Sequence, residues 1–449
     1  MFSKLIEFIQ SKTKNRPVLK KILKNISWLT FERVFQLILS VFIGIWVARY
    51  LGPSDFGLMN FAIALSALFS PFIGLGISSI VLRELIKFPE KRNALSGTFF
   101  WITFSTGLIS AILMNLLILF IRPNDFEAFL VVFVFSLGTI LPAFDVVSLW
   151  FDSKTESNKT VISRNAGLIF SYGLRILFII GEFPLIYFIV ASLMDSILRV
   201  FFYIYYYQKD KENVFNWKFD YPLAKKLISL SWPLIFSGAM IVIYMKIDQV
   251  MIGLMLNDYQ LGLYSVSVKL TEMFYFIPGV IMISLLPSLI KSKKISNSIY
   301  NSRLKKLFDF MTWFPFIFVM PIFLLSNPIV LLLYGEEYVL ASSALAISIW
   351  AIIPVFVKVS VENYLLNENK TKIVFISSFL GAISNILLNL LLIPVYGING
   401  AAIATVISYI IAAYGGLLIF KETRKIFFML IKFHDILSFV RSIRKIRNT

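Results

Sequence analysis

The sequence predicts an all-α membrane protein with about twelve spanning helices, and three observations lead to that prediction. The 449-residue chain is 58% hydrophobic and 15% charged, with a mean hydropathy of +0.81, whereas soluble domains are about 45–50% apolar and 25% charged. Its apolar stretches reach the roughly 20 residues that a helix needs to cross a bilayer. Its basic residues are concentrated in alternate loops between those stretches.

Apolar windows separated by polar turns define the predicted spans. Their approximate extents are 26–48, 57–82, 95–121, 127–151, 162–181, 184–207, 227–254, 260–289, 306–326, 340–361, 371–393 and 398–420. We therefore expect two lobes of six helices each, flanked and joined by polar segments. The predicted parts are a basic N-terminal segment 1–25, an N-lobe 26–207, a linker 208–226, a C-lobe 227–420 and a basic amphipathic tail 421–449.

The distribution of Lys and Arg predicts the orientation, because cytoplasmic loops carry an excess of both. With the N-terminus inside, the cytoplasmic segments hold 35 of the 43 basic residues. The outside loops hold only Arg49 and Arg122. Both termini and the linker are therefore expected on the cytoplasmic side. The formal charge of +18 is spread over loops between spans, so a nucleic-acid partner is not expected.

An internal repeat relates the two predicted lobes. Ser27-Trp28 begins the first span, and Ser231-Trp232 begins the seventh, 204 residues later. Gly57 and Gly262, each followed by leucine, begin the second and eighth spans. Because six spans per half is an even number, both halves enter the membrane from the same side, as parallel repeats do. Two such lobes are the architecture of an alternating-access carrier.

Several classes of chemistry are excluded by residues that the sequence lacks. There is no cysteine, and His434 in the tail is the only histidine, so thiol chemistry and His-based metal sites are not expected. No GxxxxGK[ST] phosphate loop occurs. The longest loop is under about 20 residues, which argues against a membrane glycosyltransferase or polymerase. No cofactor is predicted.

Basic residues inside the predicted spans are the strongest indication of function. They are Arg33, Arg175, Arg199, Lys246, Lys269 and Lys358. Each costs roughly 2.5–3.5 kcal/mol at the centre of a membrane helix, which is too much to leave facing lipid. Arg33 and Lys358 lie close enough to the inner surface that their side chains could extend to it. The others predict a shared, watery, positively charged interior that accepts an anion.

Acidic residues share these spans and offer partners for some of the cations. They are Glu32, Asp145, Asp195, Asp248 and Glu272. Asp195 and Arg199 are four residues apart, and Lys269 and Glu272 are three apart, so each pair lies on one helix face and can form an ion pair. Either pair could be purely structural. The excess of six basic over five acidic residues is narrow, and a drug exporter with an acidic or apolar interior stays an alternative.

Three of these charged residues, Arg175, Lys246 and Asp248, are candidates to face the interior. Arg175 has no partner nearby in sequence, and Lys246 and Asp248, two residues apart, point in different directions. The expected substrate-binding cations are Arg175, Lys246, Lys269, Arg33 and Arg199. The expected ion-coupling carboxylates are Asp248, Glu272 and Asp195.

Four motifs, in order along the chain, resemble those of a known family. They are Ala48-Arg49-Tyr50-Leu51-Gly52-Pro53 with Phe56-Gly57, then Lys246-Ile247-Asp248-Gln249-Val250-Met251-Ile252-Gly253 with Leu261-Gly262-Leu263-Tyr264-Ser265, then Leu333-Tyr334-Gly335 with Tyr338, and finally Asn385 and Asn389 with Ile393-Pro394-Val395-Tyr396-Gly397-Ile398-Asn399-Gly400-Ala401-Ala402-Ile403-Ala404-Thr405. Together they resemble the Wzx-type polysaccharide (O-antigen) repeat-unit flippases of the multidrug/oligosaccharidyl-lipid/polysaccharide exporter (MOP) superfamily. The resemblance covers about residues 25–420.

This resemblance implies a V-shaped, MATE-like pair of six-helix lobes that moves undecaprenyl-pyrophosphate-linked oligosaccharide from the inner to the outer leaflet. The product would serve O-antigen, capsule or exopolysaccharide synthesis, with a polymerase and a chain-length regulator as partners. The expected location is a bacterial or archaeal plasma membrane, which is the inner membrane in a Gram-negative cell. Coupling to H⁺, Na⁺ or the membrane potential is expected. Related lipid II flippases often have fourteen helices, so twelve favour the polysaccharide branch, although a lipid II flippase and an ion-coupled multidrug exporter stay alternatives.

Overall fold

The computed structural model describes residues 17–431, and the side chains of residues 17–35, 37, 38, 233, 234 and 431 lie outside that description. Every regular element in the described range is helical. The α-helices are α1 (Pro17–Phe69), α2 (Ser78–Lys87), α3 (Arg92–Ile121), α4 (Phe126–Leu137), α5 (Val146–Ser153), α6 (Ser157–Ile180), α7 (Leu185–Lys209), α8 (Tyr221–Met255), α9 (Asp258–Glu272), α10 (Ile277–Ile295), α11 (Asn297–Trp313), α12 (Phe316–Leu324), α13 (Ser326–Tyr334), α14 (Ala341–Ser348), α15 (Ile352–Asn367), α16 (Thr371–Ile419) and α17 (Arg424–Ile431). Short 3₁₀ turns lie at Ser70–Gly76, Pro89–Lys91, Leu141–Asp145, Val214–Asn216, Glu336–Tyr338, Ile349–Ala351 and Lys421–Thr423.

These helices confirm the predicted all-α membrane class. Nine of the described helical segments are long and apolar enough to cross a bilayer, by length and composition. The longest helices contain sharp breaks where the sequence predicts turns between spans. Gly52 in α1 has φ 71° and Gly397 in α16 has φ 56°, a backbone region that residues with a side chain rarely adopt. The count of twelve spans and the cytoplasmic position of both termini stay predictions.

Backbone contacts group the chain into two compact units. The first contains the described residues up to Tyr50 together with Phe69–Ile235, and the second contains Leu51–Leu68 and the described residues from Phe236 onward. The lobe boundaries at 207 and 227 stay predictions. A buried cluster that includes Phe99, Trp150 and Tyr203 forms a core of the first unit. Around it, helices α6 and α7 pack side by side.

In the second unit, the repeated Phe-Gly and Leu-Gly motifs lie in close backbone contact, which requires glycine in both. The two repeat-related glycines, Gly57 and Gly262, lie against each other's segments. A Cβ added at Gly57 would collide with the carbonyl of Asp258, and one added at Gly262 would collide with the carbonyl of Pro53. Since both obstacles are backbone atoms, neither can rotate away. The glycines therefore allow α1 and α9 to approach at a distance that no other residue permits.

One end of the second unit is tied by an ion pair between α10 and the segment after α15. The Lys293 ammonium lies 2.6 Å and 2.8 Å from the two Glu368 carboxylate oxygens, and the Tyr300 hydroxyl donates to Glu368 at 3.1 Å. Partial burial alone would raise the pKa of Glu368. The hydrogen bonds from Lys293 and Tyr300 outweigh that effect and hold the pKa below the usual 4.5.

Candidate functional site

Lys246 and Glu272 form an ion pair between α8 and α9 of the second unit. The Lys246 Nζ lies 2.8 Å and 2.9 Å from the two Glu272 carboxylate oxygens. The side chains are 20% and 27% exposed, so the pair is neither sealed in the core nor open to the surface. The sequence spacing offered Lys269 as the partner of Glu272, and the structure instead places Lys246 there. Lys246 reaches both oxygens from the neighbouring helix, which is the geometry of a strong, charge-assisted contact.

Lys269 contacts an aromatic ring. Its ammonium lies 4.2 Å from the centroid of the Phe56 ring, close enough for an attractive cation–π interaction. Phe56 is fully buried and also makes an edge-on contact with the Tyr338 ring, at 6.1 Å between centroids. Two of the motifs quoted above, those around Phe56 and Tyr338, therefore meet beside this lysine.

Asp248 is buried and joins three helices of the second unit. Its Oδ2 accepts hydrogen bonds from the Tyr264 hydroxyl at 2.6 Å and the Thr405 hydroxyl at 3.0 Å. Its Oδ1 accepts the backbone N–H of Gln249 at 2.7 Å. The side chain is 1% exposed, and its hydrogen-bond partners differ from the Glu272 partner of Lys246. A buried carboxylate needs such donors, because leaving it without them is costly.

Lys358 lies inside the second unit, so the expectation that it extends to the inner surface is wrong. It is 6% exposed, and its Nζ donates to the Ser378 hydroxyl at 3.1 Å. It lies 5.0 Å from the centroid of the Tyr244 ring and 3.8 Å from the Glu362 carboxylate. These contacts satisfy the ammonium within the helix bundle, which removes the need to reach water.

Arg175 and Asp195 lie on neighbouring helices, α6 and α7, of the first unit. The Arg175 guanidinium donates to the Ser192 hydroxyl at 2.7 Å and lies 5.3 Å from the centroid of the Tyr172 ring. Its Nε is buried with no hydrogen-bond partner within residues 17–431. The charges of Arg199 and Arg175 both act on the Asp195 carboxylate. Arg175 has no charged neighbour in sequence, but in the structure it belongs to a group of charged side chains with Asp195 and Arg199.

This group continues along the same two helices toward α5. The Arg199 and Arg164 charges both act on the half-buried Asp145, at the end of the 3₁₀ turn before α5. Arg164 donates to the Tyr203 hydroxyl at 3.1 Å and to the Ser148 hydroxyl at 3.2 Å. The group contains three cations, Arg164, Arg175 and Arg199, against two anions, Asp145 and Asp195, and Arg199 acts on both anions. Among the described atoms, the Arg199 Nε has no hydrogen-bond partner.

Gly167 allows α6 and α7 to lie close enough to form this group. A Cβ at Gly167 would lie 2.5 Å from the Asp195 carbonyl oxygen and 2.7 Å from the Asp195 Oδ1. Helices α6 and α7 are therefore in direct contact where Gly167 lies opposite Asp195. Seven of the eight residues predicted for the site are placed, three of them in the first unit and four in the second. The eighth, Arg33, has a side chain outside the described residues.

The sequence analysis did not assign roles to several residues that the structure brings to these clusters. Arg164 lies at the start of the predicted span 162–181 and is not among the six basic residues assigned above to the interior of the spans. Tyr264 and Thr405 occur inside the quoted motifs, so the motifs themselves were the available signal. The amide of Asn389 donates to the Asn385 side-chain oxygen at 2.9 Å, and both residues are fully buried. Across residues 17–431 no group of three or more His, Cys, Asp or Glu residues is placed to hold a metal ion.

Comparisons with known proteins identify the family of the chain. A family model described as "Polysaccharide biosynthesis protein" matches residues 46–343. The capsular polysaccharide biosynthesis protein CapF of Staphylococcus aureus is 21% identical over 398 residues, which is 87% of this chain and 97% of CapF.

Two solved structures share the fold. The lipid II flippase MurJ, in an inward closed conformation, aligns with a TM-score of 0.72 at 17% identity, covering 88% of this chain and 87% of that one. An inward-facing multidrug resistance transporter of the MATE family aligns with a TM-score of 0.64 at 15% identity, covering 91% and 99%. At these identities the likeness is one of fold. The predicted MATE-like fold class is thereby confirmed.

Proposed function

The chain belongs to the polysaccharide biosynthesis protein family, and from that premise we propose that it is a flippase of the MOP superfamily, as its fold supports. The proposed substrate is an oligosaccharide linked through pyrophosphate to a polyprenyl lipid, moved from the inner to the outer leaflet of the plasma membrane. The observation that supports this substrate most is the pair of half-buried arginines, Arg175 and Arg199. Each keeps an N–H without a hydrogen-bond partner in the described part of the chain.

The proposed role of the cations is to offset the charge of the pyrophosphate. Lysine and arginine form short charge-assisted hydrogen bonds with phosphate oxygens, and the planar guanidinium can make two at once. Arg175 and Arg199 would act in the first unit, and Lys246 and Lys269 in the second, with Arg33 as a further cation. The sugars would follow the pyrophosphate into a polar interior while the polyprenyl chain stays in lipid.

Lys246 differs from the arginines because Glu272 already neutralises it. In this proposal the pyrophosphate and the Glu272 carboxylate compete for the same ammonium. Substrate binds when the phosphate displaces the carboxylate, and it leaves when the carboxylate returns. Such an internal competitor prevents the site from holding its anion too tightly, which a carrier must avoid.

The membrane potential is the proposed driving force. A headgroup of about two negative charges moving away from a negative interior gains roughly 4–5 kcal/mol per 100 mV. Ion coupling through Asp248, Glu272 or Asp195 is a second part of the proposal, with H⁺ or Na⁺ bound on the return stroke. The three hydrogen bonds to Asp248 support this carboxylate as the one most firmly held in place.

The test is transport by the purified chain in proteoliposomes under an imposed membrane potential. Three fluorescent substrates are compared: a polyprenyl-pyrophosphate oligosaccharide, lipid II and a lipophilic cationic dye. We expect the potential to accelerate movement of the oligosaccharide lipid. If only lipid II moves, the proposed oligosaccharide substrate is wrong and the chain carries lipid II, as the MurJ flippase does. Movement of the dye alone would replace the proposal by drug export.

A further inference from the structure

A groove of about 890 Å³ lies in the first unit between α3 and the first turns of α8. One wall is formed by Trp101 and its neighbours on α3, and the other by Tyr221, Lys225 and Ser229 on α8. The three α8 residues are spaced four apart, so they lie on one face of the helix. Phe219, in the segment that leads into α8, adds a second aromatic side chain. Of the residues proposed to bind the substrate, those with described side chains do not line this groove.

The groove is held open by the segment that precedes α8, which is fastened to α3. The backbone N–H of Lys218 donates to the Asn93 carbonyl at 3.0 Å, and the N–H of Asp220 donates to the Thr98 hydroxyl at 3.1 Å. Gly97 permits this approach, since a Cβ there would collide with the Lys218 backbone. The groove is therefore a built feature of the unit and does not depend on a loose loop.

The aromatic residues indicate at which depth of the bilayer the groove lies. Trp101, Phe219 and Tyr221 are 49%, 50% and 70% exposed, and tryptophan and tyrosine concentrate at the headgroup level of membranes. The positive-inside pattern predicts that the adjoining linker 208–226 is cytoplasmic. The groove thus opens at the inner leaflet, where anionic lipids give the surface a negative potential.

The charge of the groove selects the type of lipid. Among the described residues that line it, Lys225 is the one that carries a charge, with the Ser229 hydroxyl one helical turn away. The nearest acid along the chain, Asp220, accepts the Leu223 backbone N–H at 3.0 Å as a helix cap. The Lys225 ammonium and the Ser229 hydroxyl can bind one phosphate group, and the aromatic side chains beside them can contact an acyl chain.

We propose that this groove binds one anionic glycerophospholipid of the inner leaflet. Its phosphate contacts Lys225 and Ser229, and one acyl chain lies between α3 and α8. The lipid is a resident ligand and not the transported substrate, because a single cation suits one phosphodiester better than a pyrophosphate. The groove also lies within one unit, so it needs no contribution from the other unit. This inference does not depend on the substrate proposed above.

The first experiment is native mass spectrometry of the delipidated, full-length chain with added phosphatidylglycerol or phosphatidylcholine of identical acyl chains. We expect phosphatidylglycerol to bind at one site about tenfold more tightly. Lys225→Gln should remove that preference. Lys226→Gln is the matched control, since this neighbouring lysine does not line the groove. Equal binding of the two lipids, or a preference that survives in Lys225→Gln, would overturn the proposal.

A second experiment tests the apolar slot. Ser105 lines the groove and is exposed, so Ser105→Trp should fill the slot and reduce binding of phosphatidylglycerol by about tenfold. Labelling of the wild-type chain by a photoactivatable phosphatidylglycerol checks the site without any substitution, and the label is expected on peptides containing Trp101 and Tyr221. Label confined to other peptides, or displacement of the lipid by an equal amount of polyprenyl pyrophosphate, would contradict a resident phospholipid.

Discussion

The ion pair between Lys246 and Glu272 gives the sharpest quantitative prediction. Removing one partner of an exposed ion pair costs about 0.2–1 kcal/mol, and of a buried pair about 3–5 kcal/mol. Side-chain exposures of 20% and 27% place this pair between those limits. We therefore expect Lys246→Gln and Glu272→Gln each to lower the free energy of unfolding by about 1–3 kcal/mol.

A double-mutant cycle separates the interaction from the other effects of each substitution. Unfolding is measured in detergent for the wild type, both single variants and the double variant. The double variant should be more stable than the sum of the single losses predicts, by about 1–2 kcal/mol, because the second substitution removes a charge that the first left unpaired. A coupling energy below about 0.5 kcal/mol would refute the ion pair as a stabilising contact.

The same variants separate stability from transport. Glu272→Gln removes the carboxylate that competes for Lys246, so binding of a polyprenyl pyrophosphate should become tighter. Lys246→Gln should weaken that binding, although the two variants lose similar stability. If both variants bind the lipid equally well, Lys246 does not contact the pyrophosphate.

Three further predictions follow from the contacts described. Gly57→Ala should lower the free energy of unfolding by about 1–3 kcal/mol through a backbone collision, whereas Gly279→Ala, with open space around it, should have no such effect in the same denaturation assay. Tyr264→Phe should cost about 1–3 kcal/mol, measured in that assay, because it removes a donor from a buried carboxylate. The stability contributed by Glu368 should be complete above pH 4.5 and be lost as the pH drops through its lowered pKa, which lowers the melting temperature. Protonation of Glu368 breaks its ion pair with Lys293. In the Glu368→Gln variant the melting temperature should therefore fall less at acidic pH than in the wild type.

Most of the fold was predictable because hydropathy and the distribution of basic residues act over whole segments. The breaks at Gly52 and Gly397 were predictable as well, since Gly-Pro and Pro-Val-Tyr-Gly sequences interrupt apolar runs. The pairing of charges was not. Spacing along one helix suggested that Lys269 pairs with Glu272, but the partner is Lys246, on another helix. Sequence spacing carries no information about which residues of two packed helices share a level.

Lys358 shows that the sequence also does not predict whether a charged side chain extends to the membrane surface or stays inside the protein. A lysine near the end of a predicted span has two ways to satisfy its charge, at the lipid surface or within the protein. The choice depends on Tyr244 and Ser378, which lie 114 positions before it and 20 positions after it. Arg164 shows the converse, because its place at the start of a span hid its contacts with Tyr203 and Ser148.

Transport by Arg175 variants tests the central claim most directly. The rate at which a polyprenyl-pyrophosphate oligosaccharide crosses proteoliposome membranes is measured for the wild type, Arg175→Gln and Arg175→Lys, with melting temperatures to verify folding. Arg122→Gln, in a loop predicted to lie outside, is the control. A lost charge-assisted hydrogen bond predicts a rate about tenfold lower for Arg175→Gln and substantial rescue by lysine. A folded Arg175→Gln protein that transports at the wild-type rate would contradict a cationic pathway for an anionic lipid.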